Sequence, residues 1–392
     1  MRVLTVAYTY YECDNRVRRY AETLARRGDT VEVVSLKQPG QQRCGSLNGV
    51  KIFRIQNREI NEKTKFDYLF RVVLFLINSF LFIAKCQLKN RYDLIHVHSV
   101  PDFEVFAALI PKLMGTKLIL DIHDIVPEFY ASKFNSGGNS LFSMLLKIVE
   151  KICCAFVDHV IISNHIWGER LVGRSVGKEK CSVILNYPDT TLFHRTRPKR
   201  ETGKFILMYP GTIAWHQGLD IAVRAMAIAI QKNKNLEFHI YGKGPEEPAI
   251  AKLISELDIS DTVKLLGGAP MEEIIEKMLD ADLGIVPKRG DNFGGEAFST
   301  KILEFMAMGV PMLIAETRID RYYFNDSVVT FFKSGDEKDL SDKILALSAN
   351  KQRLREQSLM AQKFMETNTW EIKKNDYIDL VNSLTKHTTG KD

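Results

Sequence analysis

The chain of 392 residues is long for one core and fits two domains of about 180 to 200 residues each. Hydrophobic residues at 45% and charged residues at 26% give the balance of an ordinary folded, soluble protein and exclude a disordered one. The net charge of +6, from 54 basic and 48 acidic side chains, suits an anionic ligand or a lipid surface and is too small to argue for nucleic acid.

The first half alternates short β-branched runs with amphipathic windows, the pattern of a mainly parallel sheet with crossover helices. Strands are predicted at Val3–Tyr8, Val31–Leu36, Lys51–Ile55, Leu94–His98, Lys117–Ile122, His159–Ser163 and Ser182–Leu185. The chain enters the first of these directly, without a secretory leader pattern. Asp14 or Asn15 then caps a helix whose Val17, Tyr20, Ala21, Leu24 and Ala25 form one apolar stripe, and Gly28 ends it. Its Arg16, Arg18, Arg19, Arg26 and Arg27 are expected to make the remaining surface strongly basic.

Leu69–Ala84 is apolar but interrupted by Arg71, Asn78 and Ser79, so its unbroken runs fall short of the roughly 20 residues of a spanning helix. It is expected to be buried between the sheet and its neighbours. Flanking Lys63, Lys65, Lys85, Lys89 and Arg91 support a second reading, a helix lying on an anionic membrane surface. The rings of His96 and His98 are assigned to opposite faces of their strand, which would keep them from sharing an ion. Cys13, Cys44, Cys86, Cys153, Cys154 and Cys181 form no C-x-x-C pair and no disulfide framework, and vicinal Cys153 and Cys154 are expected as buried free thiols. With no leader, the expected compartment is a reducing cytoplasm.

The polar stretch His194 to Gly203 has no apolar periodicity and reads as a linker. Beyond it the alternation restarts, with strands predicted at Phe205–Tyr209, Glu237–Tyr241, Val263–Leu266, Leu283–Val286, Pro311–Ala315 and Val328–Phe331. Helices are predicted at Gly218–Gln231, Met271–Asp280, Thr300–Met308 and Lys338–Ser348, with further helix from Gln352 to Leu384 and a polar tail. Two such halves imply two facing Rossmann-like α/β domains with ligands in a central cleft. Asp280-Ala-Asp282 is formally a D-x-D string, but at a helix end before a buried strand it reads as structural, and no essential metal is expected.

The most informative stretch is Gly294 to Pro311, GGEAFSTKILEFMAMGVP. A glycine-rich loop runs through Phe298 into a helix whose first turn holds Ser299, Thr300 and Lys301, where free N–H groups and the helix dipole favour a phosphate. Glu304 lies one turn deeper, about 6 Å along the axis, where it can accept hydrogen bonds from ribose hydroxyls. Glu296 precedes the helix, on the side expected for a sugar.

Glu296 and Glu304, seven residues apart and followed by the A-x-G-x-P run, resemble the E-x7-E signature of family 4 retaining glycosyltransferases with the GT-B fold. Tyr209 to Gly218 (YPGTIAWHQG) resembles the loop that opens that family's donor domain. Tyr241-Gly-Lys243-Gly-Pro resembles its G-x-G-P turn, and Leu266-Gly-Gly268, with Ala269 after it, the loop facing the base. His123 lies where the family carries a histidine beside the transferred sugar. Thr369-Trp-Glu371 and the next helix resemble the element that crosses back to the first domain. The resemblance implies domains at 1–195 and 204–368, with 369–392 as crossover helix and tail. It departs at Thr212 and Gln217, where the family usually carries an Arg and a Lys on the donor pyrophosphate. Lys301, Lys243, Lys288, Arg289 and Arg16 are the candidate replacements, Lys301 first.

The resemblance therefore implies a retaining transfer from a nucleoside diphosphate sugar, UDP preferred over GDP, to a glycan or polyprenyl-type lipid-linked acceptor in bacterial envelope polysaccharide synthesis. His123 and Glu296 are the expected catalytic residues, and Gly211, Thr212, Gln217, Lys243, Gly268, Ala269 and Phe298 to Lys301 with Glu304 the donor site. Asn15, Arg16, His98 and Asp102 are expected on the acceptor side. No cofactor is expected beyond the substrate itself, and the expected location is the cytoplasm, with peripheral contact at the inner membrane face as the second reading. A sugar-nucleotide epimerase and a catalytically silent subunit are the alternatives, the second motivated by Thr212 and Gln217.

Overall fold

Each half of the chain closes its own mainly parallel sheet. The computed structural model describes residues 1–58, 65–128, 130, 141–200, 203–291 and 293–385. One unit comprises Met1–Asn186 together with the chain from Lys374, and the other comprises Tyr187–Lys373. The predicted tail, Lys63 and the side chain of Lys65 lie outside the described residues.

The first unit contains β1 (Arg2–Ala7), α1 (Asn15–Arg26), β2 (Thr30–Lys37), β3 (Cys44–Leu47), β4 (Val50–Asn57), α2 (Lys65–Lys89), β5 (Leu94–His98), α3 (Leu109–Leu113), β6 (Lys117–Ile122), α4 (Leu141–Phe156), β7 (His159–Ile162), α5 (His165–Val172) and β8 (Cys181–Val183). Its sheet order is β3-β4-β2-β1-β5-β6-β7-β8. All pairs are parallel except β3 with β4. The central strands are buried on both faces, which is why they read as nearly unbroken apolar runs. Strand β3 was not expected, although Asn48-Gly49, both at positive φ, form the two-residue turn that signals a hairpin.

The arginines of α1 do not form a basic surface. Asp14 caps the helix by accepting from the amides of Arg16 and Val17, both at 3.1 Å. Arg16 and Arg19 are buried, Arg18 and Arg26 both pair with Glu22, and Arg27 pairs with Asp29. The expectation for Leu69–Ala84 also needs correction, because α2 is buried on one face only. Val72, Phe75, Ser79, Ile83 and Gln87 face inward, while the opposite face is open. Cys153 and Cys154 are buried, as expected, and burial raises both thiols well above their ordinary value.

The second unit runs β9 (Phe205–Pro210), α6 (Leu219–Lys232), β10 (Leu236–Tyr241), α7 (Glu247–Glu256), β11 (Val263–Leu265), α8 (Met271–Asp280), β12 (Leu283–Val286), α9 (Thr300–Ala307), β13 (Met312–Glu316), α10 (Arg318–Tyr323), β14 (Thr330–Lys333), α11 (Glu337–Ser348), α12 (Lys351–Met365) and α13 (Trp370–Thr385), whose later residues belong to the first unit. The sheet is parallel with order β11-β10-β9-β12-β13-β14. Strand order reverses between β9 and β12, and ligands of such sheets bind beyond the carboxyl ends there. Ala222, Met226 and Ala229 of α6 share a core with Leu340 and Ile344 of α11 under Leu207 and Ile240. Helix α7, which carries Pro248 in its first turn, was not expected. The helix expected from Gln352 to Leu384 is broken into α12 and α13.

Candidate functional site

In the second unit, three loops meet backbone to backbone at the switch point. The Gly211 amide donates to the Tyr241 carbonyl at 2.8 Å, the Ile213 amide to Lys243 at 3.0 Å, and the Gly242 amide to Gly267 at 2.7 Å. No side chain fits between these strands of loop. A Cβ on Gly242 would stand 1.8 Å from the Gly211 carbonyl oxygen, and one on Gly218 would stand 2.1 Å from the Pro287 carbonyl oxygen. Both glycines also have positive φ. Gly242→Ala is therefore expected to cost about 1–3 kcal/mol of stability and to displace the Gly211 loop. A urea melt together with a nucleotide thermal shift measures both effects.

Lys301 extends from the first turn of α9 onto this loop cluster. A Cβ on Gly211 would lie 3.0 Å from the Lys301 amine, which also stands 5.2 Å from the centre of the Tyr209 ring. Burial lowers the Lys301 ammonium to about 8, against the pull of Glu304, with Lys288 adding to the depression. Ser299 occupies the cap position without capping, and its hydroxyl is buried with no partner among the described residues. Orphan N–H groups, an unsatisfied hydroxyl and a cation thus converge at one helix start. Glu304 is half-buried one turn on. Thr300 is half-buried, and Phe298 packs edge-on against Tyr323 at 5.0 Å.

Thr212 and Gln217 are tied together by one phenol. The Tyr209 hydroxyl lies 2.9 Å from the Thr212 carbonyl and 3.1 Å from Gln217 Oε1. Three of the proposed replacement cations are committed elsewhere. Lys288 is buried on Asp320 at 2.8 Å and donates to the Ala297 carbonyl at 2.8 Å. Arg289 grips Asp220 at 2.8 and 2.9 Å and lies over the Trp215 ring. Arg16 belongs to the first unit, where its Nε and Nη2 are bound to Asp121. Lys301 and Lys243 remain, the latter exposed and running alongside Gly268, with half-buried Ala269 next in the chain.

Glu296 is buried and accepts from Arg318 at 3.2 Å, while Ile319 donates to the Gly295 carbonyl at 3.0 Å. Arg318 also lines a pocket of about 590 Å³ with Arg289, Arg321 and Ser334. Arg321 is paired there with Glu316 and Asp326. The D-x-D carboxylates are structural. Asp280 takes Arg197 at 2.7 and 2.9 Å, which lowers it to about 2, and Asp282 accepts from the Ile206 amide and pairs with Lys199.

The first unit gathers its candidates around a residue that the motif reading did not select, Asp121. Arg16 Nε and Nη2 donate to it at 2.8 and 2.6 Å, His98 Nδ1 lies 3.1 Å from Oδ2, and His123 Nε2 lies 3.2 Å from the same oxygen. Burial opposes ionisation of this carboxyl, but Arg16, His123 and His98 hold it well below the usual carboxylate range. Arg16 is thus bound to Asp121 through Nε and Nη2, while its Nη1 is buried with no partner among the described residues. A His123 that donates from Nε2 to Asp121 has its Nδ1 left as an acceptor. His123 is half-buried, with its carbonyl held by Ser163 at 2.8 Å.

His96 and His98 face the same side of β5, not opposite sides. Residues two apart in a strand share a face, and these rings stack 4.2 Å apart. His96, His98 and Asp121 offer ligand atoms within 4.8 Å of one another. The Arg16 guanidinium, already bidentate on Asp121, supplies the positive charge there. His98 and Asp102 are both buried, so neither borders an open surface. Burial, with Glu150 close by, raises Asp102 to about 7. Asn15 is half-buried at the start of α1. The register of β5 on β6 sets His98 opposite Asp121, a pairing that local motifs do not reveal.

Residues 14–192 match the family model described as Glycosyltransferase Family 4, and residues 191–364 match Glycosyl transferases group 1. The chain belongs to the family 4 glycosyltransferases. Its two sheets are those of the GT-B fold. Anabaena HepE, solved in complex with UDP-glucose, superposes with a TM-score of 0.73 at 15% identity over 98% of this chain and 100% of HepE. The phosphatidylinositol N-acetylglucosaminyltransferase GPI3 subunit of Saccharomyces cerevisiae is 22% identical over 69% of this chain and 57% of its own length. The amylovoran biosynthesis glycosyltransferase AmsK of Erwinia amylovora is 25% identical over 39% of this chain and 38% of its own. The chain thus spans little more than half the length of the GPI3 subunit and less than two fifths of AmsK. Within this family 4 chain, the E-x7-E glutamates lie on either side of the loop-to-helix junction that presents Lys301.

Proposed function

We propose that this glycosyltransferase moves a sugar, with retention, from a nucleoside diphosphate sugar to a glycan or lipid-linked acceptor in bacterial envelope polysaccharide synthesis. The observation that carries the reading is the Lys301 amine seated on the glycine-only loop cluster at the start of α9. That arrangement suits a diphosphate, with main-chain donors and one cation aimed where charge builds as the phosphate departs. Glu304 is assigned to ribose, Glu296 and His123 to the sugar. UDP is the preferred nucleotide, in line with HepE, whose complex holds UDP-glucose. The proton of the attacking acceptor hydroxyl passes to the leaving phosphate, so no enzyme nucleophile and no metal are assigned. AmsK, an amylovoran biosynthesis enzyme, supports the polysaccharide setting.

The test is a thermal-shift panel of UDP and GDP sugars with chelator present, since a ligand of the native state raises its stability by mass action. A UDP-sugar is expected to give the largest shift. Glu304→Ala is expected to weaken it by about 1.5–3 kcal/mol, the worth of a charge-assisted hydrogen bond. No shift with any sugar nucleotide would overturn the reading. A shift without transfer to any acceptor would favour the silent subunit, for which the uncharged Thr212 and Gln217 are the specific motive.

A further inference from the structure

The two longest crossover helices of the first unit have the polarity of their faces wrong for water. On α2, Leu69, Phe70, Val73, Leu74, Ile77 and Leu81 are all exposed, Phe70 by 66% and Leu81 by 60%. Between residues 69 and 81 no charged or polar side chain occupies an exposed position on this helix, whereas a helix on a soluble protein turns its polar face outward. Helix α4 is inverted. Ser143 and Glu150 are buried, and Glu150 is held by Arg174, while Leu141, Phe142, Met144, Leu145, Ile148 and Ile152 are exposed. Both helices pack against the same stretch, Asp102–Leu113, which adds exposed Leu109 and Leu113. So large an apolar surface marks an interaction site.

By length and composition Asp67–Lys89 suffices to cross a membrane, but its inner face is committed to the protein. Gln56 donates to the Arg71 carbonyl at 2.8 Å and accepts from Asn78 at 3.3 Å, and Gln87 donates to Thr116 at 3.0 Å. A helix anchored by polar contacts along one side and bare along the other lies flat at an interface. Exposed Lys85, Lys89 and Arg91 close one end of α2, and exposed Lys151 interrupts the bare face of α4. No exposed acid lies on either helix face among the described residues. That charge pattern fits acidic lipid headgroups around an apolar insertion.

The geometry points to a membrane-docking surface in which α2 and α4 enter one leaflet of a bilayer containing anionic phospholipid. This surface belongs to the first unit and the diphosphate site to the second, and it does not depend on the reaction assigned there. The full chain is mixed with vesicles of phosphatidylcholine alone, or of phosphatidylcholine with phosphatidylglycerol, and sedimented. The protein is expected to pellet with the anionic vesicles. Ile77→Glu with Leu81→Glu, and separately Leu145→Glu with Ile148→Glu, should lower vesicle binding about tenfold or more. Lys85→Glu and Lys89→Glu should each lower it about fivefold on anionic vesicles only. All these positions are exposed, and an unchanged melting temperature shows that each variant folds. Wild-type protein left in the supernatant with both vesicles overturns the proposal, as does undiminished pelleting of the glutamate variants. Self-association in lipid-free solution that the same variants abolish would assign the surface to a second copy instead.

Discussion

Asp121→Ala is expected to lose about 3–5 kcal/mol of folding stability, because it leaves the Arg16 guanidinium buried without its counter-ion. The carboxylate holds α1 to β6 through two charge-assisted bonds and collects two histidines on one oxygen. A chemical melt measures the loss, and the paired Arg16→Met with Asp121→Leu should recover much of it, because an apolar pair removes both buried charges. A loss under about 1 kcal/mol would show that the pair contributes little. The pH dependence has a definite sign. A carboxyl lowered by folding stabilises above its ordinary value, about 3.9, and loses that contribution only as pH falls below it towards its folded value. His96 and His98 are lowered by burial, so the unfolded chain binds more protons, and wild-type stability should already fall as pH drops through about 6.5. Asp121 opposes that lowering at His98, so its replacement should cost no less at pH 6 than at pH 8.

Lys301→Ala is expected to weaken UDP binding by about ten- to a hundredfold while leaving uridine binding nearly unchanged, the worth of one charge-assisted contact to phosphate. Calorimetric titration with both ligands separates the phosphate contact from the nucleoside contacts. Equal losses would remove Lys301 from the phosphate. Because burial lowers the free ammonium to about 8, a diphosphate that requires it charged must protonate it at higher pH. UDP affinity should hold from pH 6.5 to 7.5, then fall by up to about tenfold per pH unit above 8. The Ala variant should lack that fall, and a variant that keeps it would place the titrating group elsewhere.

The loops and the helix start of the second unit's candidate site were legible because their pattern is local. The Gly211, Gly242 and α9 segments each carry, within ten or twenty residues, the glycines and the helix start that a phosphate needs. Cross-strand partners were not legible. Asp121 became central through the register that sets it opposite His98, and Arg16 reached it from a helix 105 residues away in sequence. His96 and His98 share one face, against the expectation of opposite faces, because a two-residue spacing returns a side chain to the same side of a strand. Apolar content alone also failed to separate a buried α2 from a surface one, because periodicity does not say whether a second face is covered.

The strands at the margins of the two sheets, β3, β8, β11 and β14, are only three or four residues long, against six or eight for β1, β2, β9 and β10. Such stubs offer few free main-chain groups for recruiting a foreign strand. Clumping during purification should therefore be fought with detergent or acidic substitutions on the bare helices, and redesign of the sheet borders would gain little.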